Sequence, residues 1–133
     1  MNNSESEKNW AIFIHLSFFL GFIIPLLGFF APVLFWQIKK NDSTVLDQHG
    51  KSATNLVITC ILIYLGAMII SLITGIIYKF VISDPFVLAI GLGMSYAIVF
   101  VVGLYWMISS VIASIKASQG VIYQHKFVKK FLK

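Results

Sequence analysis

The chain has 133 residues, 59% of them hydrophobic and only 11% charged, with a mean hydropathy of +0.90. A soluble domain has about a quarter of its residues charged, so this composition excludes an ordinary water-soluble enzyme or binding module. The net charge is +5 with every basic residue a lysine, and the lone cysteine, Cys60, has no partner for an internal disulfide.

Residues 1–9 form a polar N-terminal segment in which Lys8 follows Glu5 and Glu7. The apolar run behind it, 11–36, exceeds the ~7–15 residues of a signal-peptide core, so it is expected to be retained. Pro25 and Pro32, with Gly21 and Gly28 nearby, interrupt helical hydrogen bonding and predict a kinked or broken helix. A single tilted crossing suits a run of about 26 residues and is the favoured reading. A re-entrant hairpin of two half-helices, or a four-segment arrangement, is the alternative.

The loop 37–53 carries Lys39, Lys40 and Lys51 together with Asp47 and His49. Asp47 and His49 supply two metal ligands without a third or fourth. Gly50-Lys51-Ser52 spells the end of a phosphate-binding loop, but Val45 stands where that loop needs glycine and no strand precedes it. Neither a metal nor a cofactor is expected.

Two further runs, 54–80 and 86–115, are each long enough to cross a ~30 Å hydrocarbon layer. Asn55 stands at the mouth of the first. Ala67, Ser71 and Gly75 repeat every four residues along one helix, and Ala89, Gly93 and Ala97 along the other. Such stripes allow close packing in lipid, and the two are expected to meet. Trp10, Trp36 and Tyr78 lie near the ends of runs, as headgroup anchors do. The tail, 118–133, alternates apolar pairs with Lys126, Lys129, Lys130 and Lys133. This predicts a basic amphipathic helix on an anionic leaflet, with no role for nucleic acid.

If each of the three runs crosses once, eight of the ten lysines share one side, leaving Lys8 and Lys79 opposite. The positive-inside rule then places the loop 37–53 and the C-terminus in the cytoplasm. The expected architecture is an all-α membrane protein with one transmembrane domain, 10–117.

Catalytic chemistry finds little support. His15 is an ionisable group inside the first run, where such groups usually face protein or water; near the start of the run it is expected to sit just below the headgroups and hydrogen-bond to a neighbour. No carboxylate falls inside an apolar run, so paired-carboxylate chemistry and a Ser-His-acid triad are both unsupported.

One set of residues carries a family likeness: His15-Leu16-Ser17, Pro25, Ala31-Pro32, Trp36, Lys39-Lys40, and Asp47-Gln48-His49-Gly50-Lys51-Ser52-Ala53 with Asn55, closing at Ala117, Gly120 and Tyr123. The chain resembles the small bacterial membrane proteins of domain-of-unknown-function family 4870, described as Tic-twenty-like. It departs from that pattern at Ser52, Leu56-Val57 and Gln124-His125-Lys126. The resemblance implies a multi-pass protein with a distant link to protein import and makes the first loop a structural signature. The resulting expectation is a non-enzymatic assembly or interaction subunit of the bacterial inner membrane, as a homo-oligomer or with an unidentified membrane partner. The alternative is a subunit of a pore, transport or translocation complex.

Overall fold

A computed structural model describes residues 3–132. Four helices follow one another: α1 (Asn3–Leu16), continued by a 3-10 segment (Ser17–Phe22), then α2 (Pro25–Lys39), α3 (Thr44–Ile77), continued by a π-helical turn (Tyr78–Ile82), and α4 (Pro85–Ser118). The chain divides into two compact units, Met1–Thr59 with Trp106–Lys133, and Cys60–Tyr105.

In the first unit the leading apolar run does not continue as one helix. Ile24 is extended, with φ −132°, because the ring of the following proline disfavours helical backbone at the residue before it. Pro25 then opens α2 at a position whose N–H needs no partner. Beyond this break the chain doubles back. The Lys39 ammonium lies 4.7 Å from the Trp10 ring centroid, and the Phe13 and Phe35 rings are 4.6 Å apart. At the bend, a Cβ on Gly21 would lie 2.9 Å from the Gly28 Cα. These nested pairs define an antiparallel helical hairpin. The favoured single kinked crossing of 11–36 is therefore corrected: the break falls before Pro25, and the two glycines permit the reversal. Pro32 does not break α2. It is buried inside the helix, one turn beyond Gly28.

Ser43 caps α3, its Oγ accepting from the Val45 N–H at 3.2 Å, as N-cap hydroxyls do. The helix has 34 residues, or about 51 Å at 1.5 Å per residue, more than a ~30 Å hydrocarbon layer requires. Its apolar part is preceded by turns carrying Asp47, His49 and Lys51. α4 ends at Gly120, where φ is +74°. The Gly120 N–H donates to the Ala117 carbonyl and the Val121 N–H to the Lys116 carbonyl, each at 2.9 Å, which is the Schellman arrangement.

The tail beyond Gly120 is not helical in its described part. It runs as a non-helical strap that turns at Lys126–Phe127, where the Phe127 φ is 64°, which corrects the expected amphipathic helix. Asn55 Oδ1 accepts from the N–H groups of Phe131 and Leu132 at 3.0 and 2.8 Å, and its Nδ2 donates to the Leu132 carbonyl at 3.0 Å. Ser52 Oγ donates to the Tyr123 carbonyl at 2.6 Å. Backbone groups that a helix would pair internally are satisfied by α3 instead. Elsewhere in this unit Ala11, Leu46 and Ala117 form a buried cluster, and Trp106 stacks on Phe18 with centroids 4.5 Å apart.

In the second unit α3 and α4 meet where Gly91 packs on the Thr74 side chain; Ser95 is buried and bonded to its own helix. Ala67 is buried, but Ala89, Gly93 and Ala97 are exposed and no neighbour lies within reach of a Cβ at Gly75 or Gly93. The two small-residue stripes therefore do not meet within the chain. The contact uses Gly91, two positions from Gly93 and so on another side of α4. The π-helical turn ends at Ser83, which is left-handed with φ 52°. Asp84 Oδ1 accepts the Phe86 N–H at 2.8 Å to start α4.

Candidate functional site

The chain has three histidines, and the first unit brings all of them together. His15, from the last turn of α1, is 2% exposed, and His49, from the start of α3, is 1% exposed. Burial this deep requires a polar partner, and the two rings supply it to each other. His15 Nε2 and His49 Nδ1 are 3.3 Å apart, one donating and the other accepting as the tautomers dictate. His125 comes from the strap. Its ring centroid is 6.0 Å from that of His15 and 5.1 Å from that of Tyr123, edge to face. Both ring nitrogens of His125 are buried without a hydrogen-bond partner among the described residues. Burial pushes this imidazole down to about 4 from its ordinary 6.5, so it is neutral at pH 7.

Beside the histidines lies a second polar cluster. Trp36 Nε1 donates to Asp47 Oδ1 at 2.9 Å, and Lys51 Nζ lies 2.7 Å from Asp47 Oδ2. Gly50 lies flat against the Trp36 indole with no room for a Cβ. Each residue type is thereby explained: glycine for the close approach, tryptophan for the N–H, aspartate to accept it, and lysine one helical turn on to balance the charge. His15 and Pro32 also line, with Ala53, Leu56, Trp106 and Ser110 among others, a small void too tight for a water.

Of the residues singled out in the sequence, His15, Pro32, Trp36, Asp47, His49, Gly50, Lys51, Asn55, Gly120 and Tyr123 all belong to this unit and its strap, while Pro25 sits at the hairpin bend. Ala67, Ser71, Gly75, Ala89, Gly93 and Ala97 lie in the other unit. Lys126, Lys129 and Lys130 belong to the strap, where Lys130 donates to Gln124 at 2.7 Å; Lys133 lies outside the described residues. Two contributors were given no role from the sequence: Ser52 enters there only as the end of a phosphate-loop-like Gly50-Lys51-Ser52, and no local spacing marks His125. Among the described residues, no group of three or more His, Cys, Asp and Glu side chains is arranged to hold a metal ion.

Two helices are long and apolar enough to cross a membrane, Thr44–Ile82 and Pro85–Ser118, and α2 is a shorter apolar helix. With a packed polar cluster at the helix ends, these features define a small, all-α, multi-pass membrane protein. The sequence model of the MamF_MmsF family, described as the magnetosome magnetite crystal formation protein family, matches residues 6–132. The chain belongs to that family, whose members are non-catalytic membrane proteins. This corrects the resemblance to family 4870 and its Tic-twenty-like description. Short motifs such as His-Gly-Lys-x-Ala-x-Asn serve local packing, as Gly50 on Trp36 shows, and a likeness resting on them is outweighed by a match along nearly the whole chain. No curated protein and no solved structure matches the chain.

Proposed function

We propose that this protein is a non-enzymatic assembly subunit of a bacterial inner membrane, with the loop 40–43 and the C-terminal strap on the cytoplasmic side. The observation that carries the reading is how little of the long helices is covered by the chain itself. In the most apolar stretch of Pro85–Ser118 only 6% of residues are buried, and in that of Thr44–Ile82 only 22%. Lipid covers much of such a surface without specificity, but the exposed stripe Ala89, Gly93, Ala97 lets another helix approach closely. A second copy of the chain or another membrane protein fits it. The strap lysines Lys126, Lys129 and Lys130, with Lys133, would add attraction to anionic headgroups.

The family description links its members to magnetite crystal formation in magnetosomes. A direct contact with mineral is not the role favoured for this chain. It has five acidic residues against ten basic ones, and Asp42 and Asp47 are already paired with Lys39 and Lys51. Organising membrane components suits the surface better.

Site-directed cross-linking tests this reading. With buried Cys60 replaced by Ala, Gly93→Cys in native membranes is expected to give a discrete cross-linked species, and Ile108→Cys, also exposed on α4, is expected to give far less. Equal, diffuse cross-linking at both positions would remove the assembly role of the stripe.

A further inference from the structure

A cavity of about 340 Å³ opens between the first turns of α3 and the C-terminal strap. Lys51, Gln48 and Asn55 reach it from the helix, and Gln124, His125 and Lys130 from the strap. Its size falls in the range of small-molecule sites. Three features give it a chemical character.

The first is charge. Two lysines line the cavity and no carboxylate is among the described lining residues. Lys51 spends one of its donors on Asp47, and Lys130 spends one on Gln124. An ammonium group has three donors, so each retains capacity. The second is the orphaned imidazole. The His125 ring lines the cavity while its nitrogens are buried without a partner among the described residues, a costly state that a small shift of the strap toward a bound acceptor would relieve. The third is composition. Ile122, Val128 and Leu132 supply apolar wall beside the polar groups, which suits a ligand with an anionic head and a short organic stem. Asn55 and Ser52 hold the strap over the opening, so occupancy and strap position are coupled.

We infer that this cavity is a binding site for a phosphate-bearing anion, gripped by Lys51 and Lys130 and closed over by the strap. Phosphate is the anion whose several acceptor oxygens match convergent ammonium and amide N–H donors. The site deepens the headgroup reading of the tail, replacing diffuse attraction with one saturable position. It is independent of the assembly role of α4.

Isothermal titration of the full-length protein in an uncharged maltoside detergent tests the inference. The probes are dihexanoylphosphatidylglycerol, glycerol 3-phosphate and inorganic phosphate. Saturable binding of one equivalent is expected. Preference for the phosphatidylglycerol identifies a lipid headgroup as the source, and equal binding of the water-soluble probes identifies a free phosphate. Lys51→Gln with Lys130→Gln is expected to weaken binding by at least about tenfold, as loss of charged hydrogen bonds does. Lys51→Arg with Lys130→Arg keeps the charge and the pairing to Asp47, and is expected to retain binding, which separates loss of the site from loss of the fold. Lys126→Gln with Lys129→Gln is expected to leave the saturable step intact while reducing adsorption to anionic vesicles. Absence of saturable binding of all three probes would overturn the site. So would equal weakening by the two Lys→Gln pairs, which would leave only the diffuse headgroup reading.

Discussion

Asn55 makes three hydrogen bonds to the strap with a single amide, which only a side chain with both donor and acceptor can do. Asn55→Ala leaves the N–H groups of Phe131 and Leu132 without that partner, and the expected cost to strap docking is about 1–3 kcal/mol. Trypsin should then cut after Lys129 and Lys130 markedly faster than in the parent; unchanged cleavage would mean that the strap is held elsewhere. Gly50 makes the opposite demand, for absence. A Cβ there meets the Trp36 indole, so Gly50→Ala must displace the ring and weaken its bond to Asp47. Overpacking of this kind costs about 1–3 kcal/mol, and a lower melting temperature in detergent, followed by tryptophan emission, is the expected readout. At this scale the sequence marked residues and not their partners: Trp36 read as a headgroup anchor, yet it is buried and bonded to Asp47. Asp47, Gly50, Lys51 and Asn55 stand close together in the chain, but the indole that Gly50 and Asp47 meet comes from α2. The histidine cluster was not legible, because its members come from α1, α3 and the strap, and no periodicity links residues so far apart.

The elements were readable wherever apolar length alone decides. The runs 54–80 and 86–115 are the membrane-length parts of α3 and α4. The run 11–36 was ambiguous because twenty-odd apolar residues with two prolines describe a kinked span and a hairpin equally well; the pair Gly21 and Gly28 decides it only once they are seen to touch. With the loop 40–43 at one end of the hairpin, cysteines placed at Ser4 and Asn41 should react with a membrane-impermeant maleimide from the same side, and a cysteine at Asp84 from the other. Labelling of Ser4→Cys and Asp84→Cys from one side would exclude the hairpin. The strap was misread because its apolar spacing is truly helical. The Schellman end at Gly120 and the side chains of Ser52 and Asn55 outcompete that tendency, and a hydrophobic pattern does not register competing hydrogen bonds. Docking of the strap should also respond to pH. His15, His49, Tyr123, Lys51 and Lys130 are the titratable groups around His125 or lining its cavity. When the strap is released, His125 binds a proton near its ordinary 6.5; docked, it does so only at about 4. The released form therefore holds more protons between these values, and docking weakens as pH falls from 6.5 toward 4. A spin label at Lys129→Cys should gain mobility over that window, and His125→Gln should flatten the response.

For the molecule as a whole, what matters is how unevenly its polar groups are shared between the two units. The unit containing both termini holds all three histidines, and the other consists of two long helices joined by a short turn. Reversal of the first hairpin has a consequence for biogenesis. A protein whose leading run crossed the bilayer would need its N-terminal segment, with Glu5, Glu7 and Lys8, carried through. In the proposed topology the N-terminal segment stays where it is made, and the connection between α3 and α4 that is moved across carries Lys79 and Asp84, which sum to no net charge. Carrying a charged side chain into the bilayer centre costs about 2.5–3.5 kcal/mol on insertion scales, so few such passages are needed. Insertion of this chain is accordingly expected to proceed as one paired event and to respond little to membrane potential, with α3 and α4 entering together.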